Sequence, residues 1–147
     1  MGKFKMNSQA LLKYILGTSE GDIMYTLLSE YKNKSTDEFI QKTCTEIALA
    51  TGLECETIRA TINRMVKKGL LQKKPGIREN HYVNFFKPEF NTSIYIESAI
   101  QKLQSKKEVT NISNRNQAKD FIPKIVDILQ SNSNILVALD FIEGGKQ

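Results

Sequence analysis

From Thr43 to Phe85 the chain reads TCTEIALATGLECETIRATINRMVKKGLLQKKPGIRENHYVNF. Apolar residues recur there at helical spacing, halt at a glycine, resume, halt at a second glycine and then alternate as strands do. Few arrangements accept that order in so short a span. Thr43 is placed to cap the first helix, and Glu46, three residues on, completes a capping box. Ile47, Ala48 and Thr51 form its inward face. Gly52 makes the turn, where a left-handed backbone costs least for a residue without Cβ, and Leu53 is the apolar plug beneath it. A second helix is expected from about Cys55 to Lys68, burying Ile58, Ile62, Met65 and Val66 and ending at Gly69.

The opposite face of the second helix carries Glu56, Thr57, Arg59, Ala60, Asn63, Arg64 and Lys67. A polar outer face is ordinarily just a solvated one, so its meaning depends on what flanks it. Leu70 to Lys74 and Asn80 to Phe85 are expected to pair as a hairpin around a tip of Pro75, Gly76, Ile77, Arg78 and Glu79, since Pro-Gly favours a turn and Tyr82, Val83 and Phe85 favour strand. The hairpin carries Lys73, Lys74, Arg78 and His81. From Thr57 to Pro88 there are eight basic residues against one acid, Glu79, in a chain whose whole formal charge is +5. The positive charge is therefore concentrated on the second helix and the hairpin, as phosphate binding requires.

Gly52-Leu53, Thr57-Ile58-Arg59, Arg64-Met65 and Lys68-Gly69-Leu70-Leu71 resemble a stretch found in many bacterial winged-helix proteins, including the MarR-type regulators and plasmid or phage replication proteins. The similarity covers about 45 residues, near a third of the chain. It implies a mainly α fold, a winged helix-turn-helix with a small β-hairpin wing and additional C-terminal helices. It also implies a double-stranded DNA partner, with the second helix in the major groove and the wing on the backbone or minor groove. Arg and Asn suit guanine and adenine edges, and Thr or Ala can pack on a thymine methyl. The DNA-binding residues so expected are Thr43, Glu56, Thr57, Arg59, Ala60, Asn63, Arg64, Lys67, Lys73, Lys74, Arg78 and His81, with Arg78 free to dip into the minor groove. Glu54 departs from the pattern, standing where such proteins commonly have Ser or another small polar cap. A dimeric transcriptional regulator is the leading expectation; a plasmid or phage replication or partition protein, and a winged-helix protein-interaction module, stay open beside it.

The flanks divide the chain into a reading domain, 1–88, and a helical C-terminal region, 89–147. Helices are expected over 7–16 and 20–32, broken by Gly17-Thr18-Ser19, with Ile23, Met24, Leu27, Leu28 and Tyr31 buried; Phe39 and Ile40 suggest a short strand. Further helices are expected over 93–107, through Ile96, Ala99, Ile100 and Leu103, and over 114–130, through Ala118, Phe121, Ile122, Ile125, Val126 and Leu129, with Pro123 delaying or bending the second. Ile135 to Ile142 is either a last helix or a strand, with helix favoured because Asn132 or Ser133 can cap it and Gly144 can end it. Its Ile135, Leu136, Leu139 and Ile142 form a stripe expected to join two copies in a homodimer, the alternative being that these helices complete a monomeric core.

Other chemistries find little footing. No nucleophile–base set, P-loop or GxGxxG is present, so an enzyme is not expected. Cys44, read as a small core residue, and Cys55, read as exposed, lack the partners of a structural zinc site, and His81 is the lone histidine, so neither metal nor cofactor is expected. No apolar run approaches the length of a membrane span, and the cytoplasm is the expected compartment. A small-molecule effector is left open.

Overall fold

A computed structural model describes residues 8–31, 34–104 and 123–144. Contacts group the chain into one compact unit, Gln9–Glu89, and a second in which Ser8 joins the described part of Phe90–Gln147. Among the described residues the fold is mainly helical with one small antiparallel sheet.

In the first unit, helix α1 (Ser8–Leu16) and helix α2 (Thr18–Ser29) are separated by Gly17 alone, at φ 112°. Thr18 and Ser19 already belong to α2, so the break is narrower than the three polar residues suggest. A Cβ added at Gly21 would collide with the backbone of Lys13, which is why the two helices can approach so closely there. Strand β1 (Ile40–Gln41) follows, then α3 (Cys44–Thr51) and α4 (Cys55–Lys68). Phe39 stays outside the strand.

The capping box is formed: the Thr43 hydroxyl accepts from the Glu46 amide at 3.1 Å, and the Thr43 amide donates to Glu46 Oε1 at 2.9 Å. Gly52 (φ 80°) and Gly69 (φ 86°) end the two helices in left-handed conformations. Glu54 caps α4 by position only, with no side-chain bond to its free amides. Helix α2 packs against both α3 and α4. Ile23, Met24, Leu27, Leu28, Ile47, Ile58, Ile62 and Met65 are all buried, and each such side chain withdrawn from water contributes about 1.5–3 kcal/mol. Thr61 is buried with them, whereas Leu53 and Val66 are half-buried.

The hairpin is longer than expected, and its turn lies elsewhere. Strands β2 (Leu71–Arg78) and β3 (His81–Pro88) pair in continuous register from Leu71↔Pro88 to Arg78↔His81. The turn is Glu79-Asn80, both at positive φ (53° and 67°), as a two-residue hairpin loop requires. Pro75 and Gly76 thus lie within β2. The sheet order is β1-β3-β2, so β2 is an edge strand. Counting from the closing pair Arg78↔His81, Pro75↔Asn84 falls at a non-hydrogen-bonded position, where a missing N–H breaks nothing. The Phe85 ring covers Gly76 so closely that a Cβ there would strike it.

The second unit contains α5 (Ser93–Gln104), helical residues 123–131 as α6, and α7 (Ile135–Gly144). Its buried residues include Tyr95, Ala99, Ile125, Leu129, Ile135, Ala138 and Leu139. Thr92 Oγ1 donates to the Asn132 carbonyl at 2.8 Å, and the Ile135 amide to the Phe90 carbonyl at 2.7 Å. Asn134, rather than Asn132 or Ser133, caps α7, accepting from the Leu136 amide at 2.7 Å.

On α5 the buried anchor is Tyr95, while Ile100, expected inside, is 40% exposed. On α7 the stripe expected to be exposed faces inward: Ile135 and Leu139 are core and Leu136 and Ile142 half-buried, while Val137 and Phe141, one turn apart and outside that stripe, face outward at 54% and 63% exposure. The expected helical stretch before 123, with Ala118, Phe121 and Ile122, and the Leu103 side chain lie outside the described residues.

Candidate functional site

Helix α4 has three longitudinal stripes besides its buried one, and its neighbours give each a different character. Glu56, Ala60, Asn63 and Lys67, spaced four, three and four, form the outermost stripe, and all four are exposed. Arg59, beside them, turns toward the hairpin. It lines a hollow of about 150 Å³ together with Cys44, Asn63, Lys73, Asn84 and Phe86. Across this hollow Lys73 Nζ donates to Asn63 Oδ1 at 3.4 Å, so the hairpin base and the outer face of α4 form one continuous polar surface.

The third stripe, with Thr57, Arg64 and Lys68, turns toward α2. Glu20, only 5% exposed, receives Lys68 Nζ at 3.0 Å on each carboxylate oxygen and has Arg64 Nε at 3.6 Å. Arg64 Nη2 also donates to Thr61 Oγ1 at 3.2 Å. Arg64 was expected to point outward with Arg59; instead a buried carboxylate on the scaffold helix draws it sideways. An unpaired buried charge costs far more than an exposed pair gains, so the arginine goes to the carboxylate.

Arg78 is likewise not free at the hairpin tip. Its guanidinium donates to both Glu46 oxygens, at 3.2 and 2.9 Å, fastening the hairpin to the first turn of α3. That hydrogen-bonded pairing, with help from the Thr43 amide, lowers the Glu46 carboxyl from 4.5 to about 2 and raises the Arg78 guanidinium above its ordinary value. Thr43, half-buried and engaged in the capping box, is a structural residue in this geometry. Lys74 stacks over the Phe39 ring at 4.2 Å, with Lys87 at 5.8 Å from the same ring.

Arg59, Asn63 and Lys73 are thus brought together, with Glu56, Ala60 and Lys67 along the same helix. Lys74 and His81 remain exposed on the hairpin. Cys44 proves half-buried at the hollow rather than a core residue, and Cys55 is half-buried too. Among the described residues no group of histidine, cysteine and carboxylate side chains could hold a metal ion, and no helix is long and apolar enough to cross a membrane.

Two features escaped the sequence reading. The Glu20 clamp joins residues 48 positions apart, beyond any local periodicity. Tyr82, read only as a strand former, is 89% exposed beside the hairpin tip.

No family model, curated protein or solved structure matches this chain. Its function is read from the surface itself.

Proposed function

We propose that the chain is a sequence-specific double-stranded DNA-binding protein with a winged helix-turn-helix, α3 and α4 forming the helix pair and β2–β3 the wing. The observation that carries this reading is the continuity of Arg59, Asn63 and Lys73: two side chains able to pair with base edges sit beside a lysine at the base of a projecting basic hairpin. Asn63 and Arg59 suit adenine and guanine edges in the major groove. Lys67, Lys73, Lys74 and His81 suit phosphates on either side. Arg64, Lys68 and Arg78 act chiefly as framework, fixing how α4 and the wing are presented.

Transcriptional regulation by a cytoplasmic homodimer is the role we favour. The exposed Val137 and Phe141 of α7 are the apolar surface on which a second copy would rest, bringing two reading helices to two half-sites.

The test is duplex binding followed against salt. Affinity falls steeply as salt rises, and Lys73→Ala flattens the log–log slope by about one unit. Selection from a random duplex pool yields a preferred site at which Arg59→Ala or Asn63→Ala loses about 1–3 kcal/mol, with little loss on random duplex. No measurable binding to any duplex at low salt removes DNA from the account. Phe141→Glu leaves a monomer in sedimentation if α7 is the dimer surface. Sequencing the DNA that co-purifies with the protein distinguishes a promoter from a replication origin or partition site.

A further inference from the structure

The two faces of the hairpin differ in what their side chains are already doing. One face carries Lys74 and Arg78, held by the Phe39 ring and by Glu46, with Gly76 under the Phe85 ring. Alternation along the strands puts Lys73, Pro75 and Ile77 on the other face, with Phe86, Asn84 and Tyr82 opposite them. At its base this face is joined to α4 through Lys73 and Asn63. Toward the tip it rises clear of the core, and there the register pair Ile77↔Tyr82 stands 63% and 89% exposed. The pair takes no part in the core and leaves an aromatic ring beside an isoleucine in water.

We infer that Tyr82 and Ile77 form an apolar wedge that enters the minor groove of the duplex, taking the place that a wing arginine would otherwise fill. This inference rests on the DNA-binding reading above. Two observations carry it further. First, four residues of strand separate Lys73 from Ile77, about 13 Å at strand rise, more than the roughly 6 Å width of a minor groove. With α4 in the major groove and Lys73 on the flanking backbone, the tip reaches the next minor groove. Second, Lys73 stands on the wedge face and is exposed, so the phosphates flanking the groove find a cation there while the ring and the isoleucine meet sugars and base edges. Arg78, withdrawn to Glu46, braces the hairpin. Apolar side chains inserted in this way widen the minor groove and bend the duplex.

The experiment uses the full chain and a duplex oligonucleotide carrying the selected site, or random duplex at low salt. Because the chain has no tryptophan, Tyr82→Trp introduces a single indole as a reporter. Its fluorescence is expected to shift and saturate at the same duplex concentration that saturates a gel shift. Tyr82→Ala is expected to weaken binding about ten- to a hundredfold, the range that burying one aromatic ring supplies, while leaving the salt slope unchanged, since no phosphate contact is lost. Lys73→Ala, run alongside, changes the slope. Far-UV circular dichroism checks that each variant is folded.

A silent indole, or a Tyr82→Ala protein that binds like the parent, overturns the wedge while leaving DNA binding intact. A fall in salt slope for Tyr82→Ala makes Tyr82 a phosphate contact and also overturns it. Failure of the parent chain to bind any duplex overturns the functional reading itself.

Discussion

The Lys68 ammonium lies 3.0 Å from each carboxylate oxygen of Glu20, a bridge between the C-terminal end of α4 and the start of α2. The lysine is half in water, whereas the glutamate is almost entirely out of it, at 53% and 7% side-chain exposure. Losing the lysine therefore costs more than an exposed ion pair does, because the carboxylate left behind is desolvated. Lys68→Ala is expected to destabilise the fold by about 1–3 kcal/mol, with Arg64 limiting the loss. Lys67→Ala, one residue earlier on the open stripe, is expected to stay within about 0.5 kcal/mol of the parent. Urea denaturation of both variants makes the comparison; equal midpoints would show that the bridge contributes no stability.

Glu46 gives the fold an acid-sensitive point. Its folded-state value of about 2 lies below the ordinary 4.5, so the folded protein binds this proton less readily than the unfolded chain. The stabilisation is complete above about 4.5 and is lost as pH falls through about 2. Glu46→Gln is expected to be less stable than the parent at neutral pH, with the gap closing between pH 4.5 and 2. Denaturant midpoints measured across that range report it. A gap that persists at pH 2 would assign the loss to packing instead.

At the alkaline end the corresponding group is Tyr31. Burial, followed by the charge of Glu38, raises its phenol to about 12 from 10, and its hydroxyl donates to the Glu38 carbonyl at 2.6 Å. Here the folded state holds the proton more tightly, so the stabilisation is complete below about pH 10 and declines as pH rises through 12. Tyr31→Phe is expected to lose about 1 kcal/mol at neutral pH and to show a flatter stability profile between pH 10 and 12.

Two glycines are needed for different reasons, and substitution separates them. At Gly21 an added methyl group meets the Lys13 backbone, so Gly21→Ala must push α1 off α2, at a cost of about 3 kcal/mol. At Gly52 the space is open but φ is 80°, so Gly52→Ala is expected to cost only backbone strain, about 1 kcal/mol. Asparagine tolerates that conformation, and Gly52→Asn should recover part of the loss. Thermal melts of the three variants give the order.

The parts legible in the sequence are those written by near neighbours. The Thr43–Glu46 box, the Gly52 turn and the span of α4 each depend on residues a few positions apart, and all stand where the pattern put them. The hairpin turn is not where composition suggests because Pro75-Gly76 has the composition of a turn, while what excuses it from being one, an open strand edge and the Phe85 ring, comes from partners seven or nine residues away. Arg64 and Arg78 look like free cations in the sequence for the same reason: Glu20 and Glu46 reach them only once α2, α3, α4 and the hairpin are assembled. In α7 nearly every residue from Ile135 to Ile142 is apolar, so periodicity identifies a helix but not its buried side. The core took Ile135, Ala138 and Leu139 and left Val137 and Phe141 outside.

Pro75 also decides what this protein avoids. A long, exposed hairpin with a free outer edge offers unpaired backbone groups to any neighbouring chain, the usual start of sheet growth into fibres. Here that edge lacks a donor midway along β2 and is flanked by Lys73 and Lys74, while the other edge of the sheet, β1, is two residues long. A second strand laid along β2 would meet a gap in its ladder at Pro75 and two lysines beside it, which makes that edge a poor template for sheet growth.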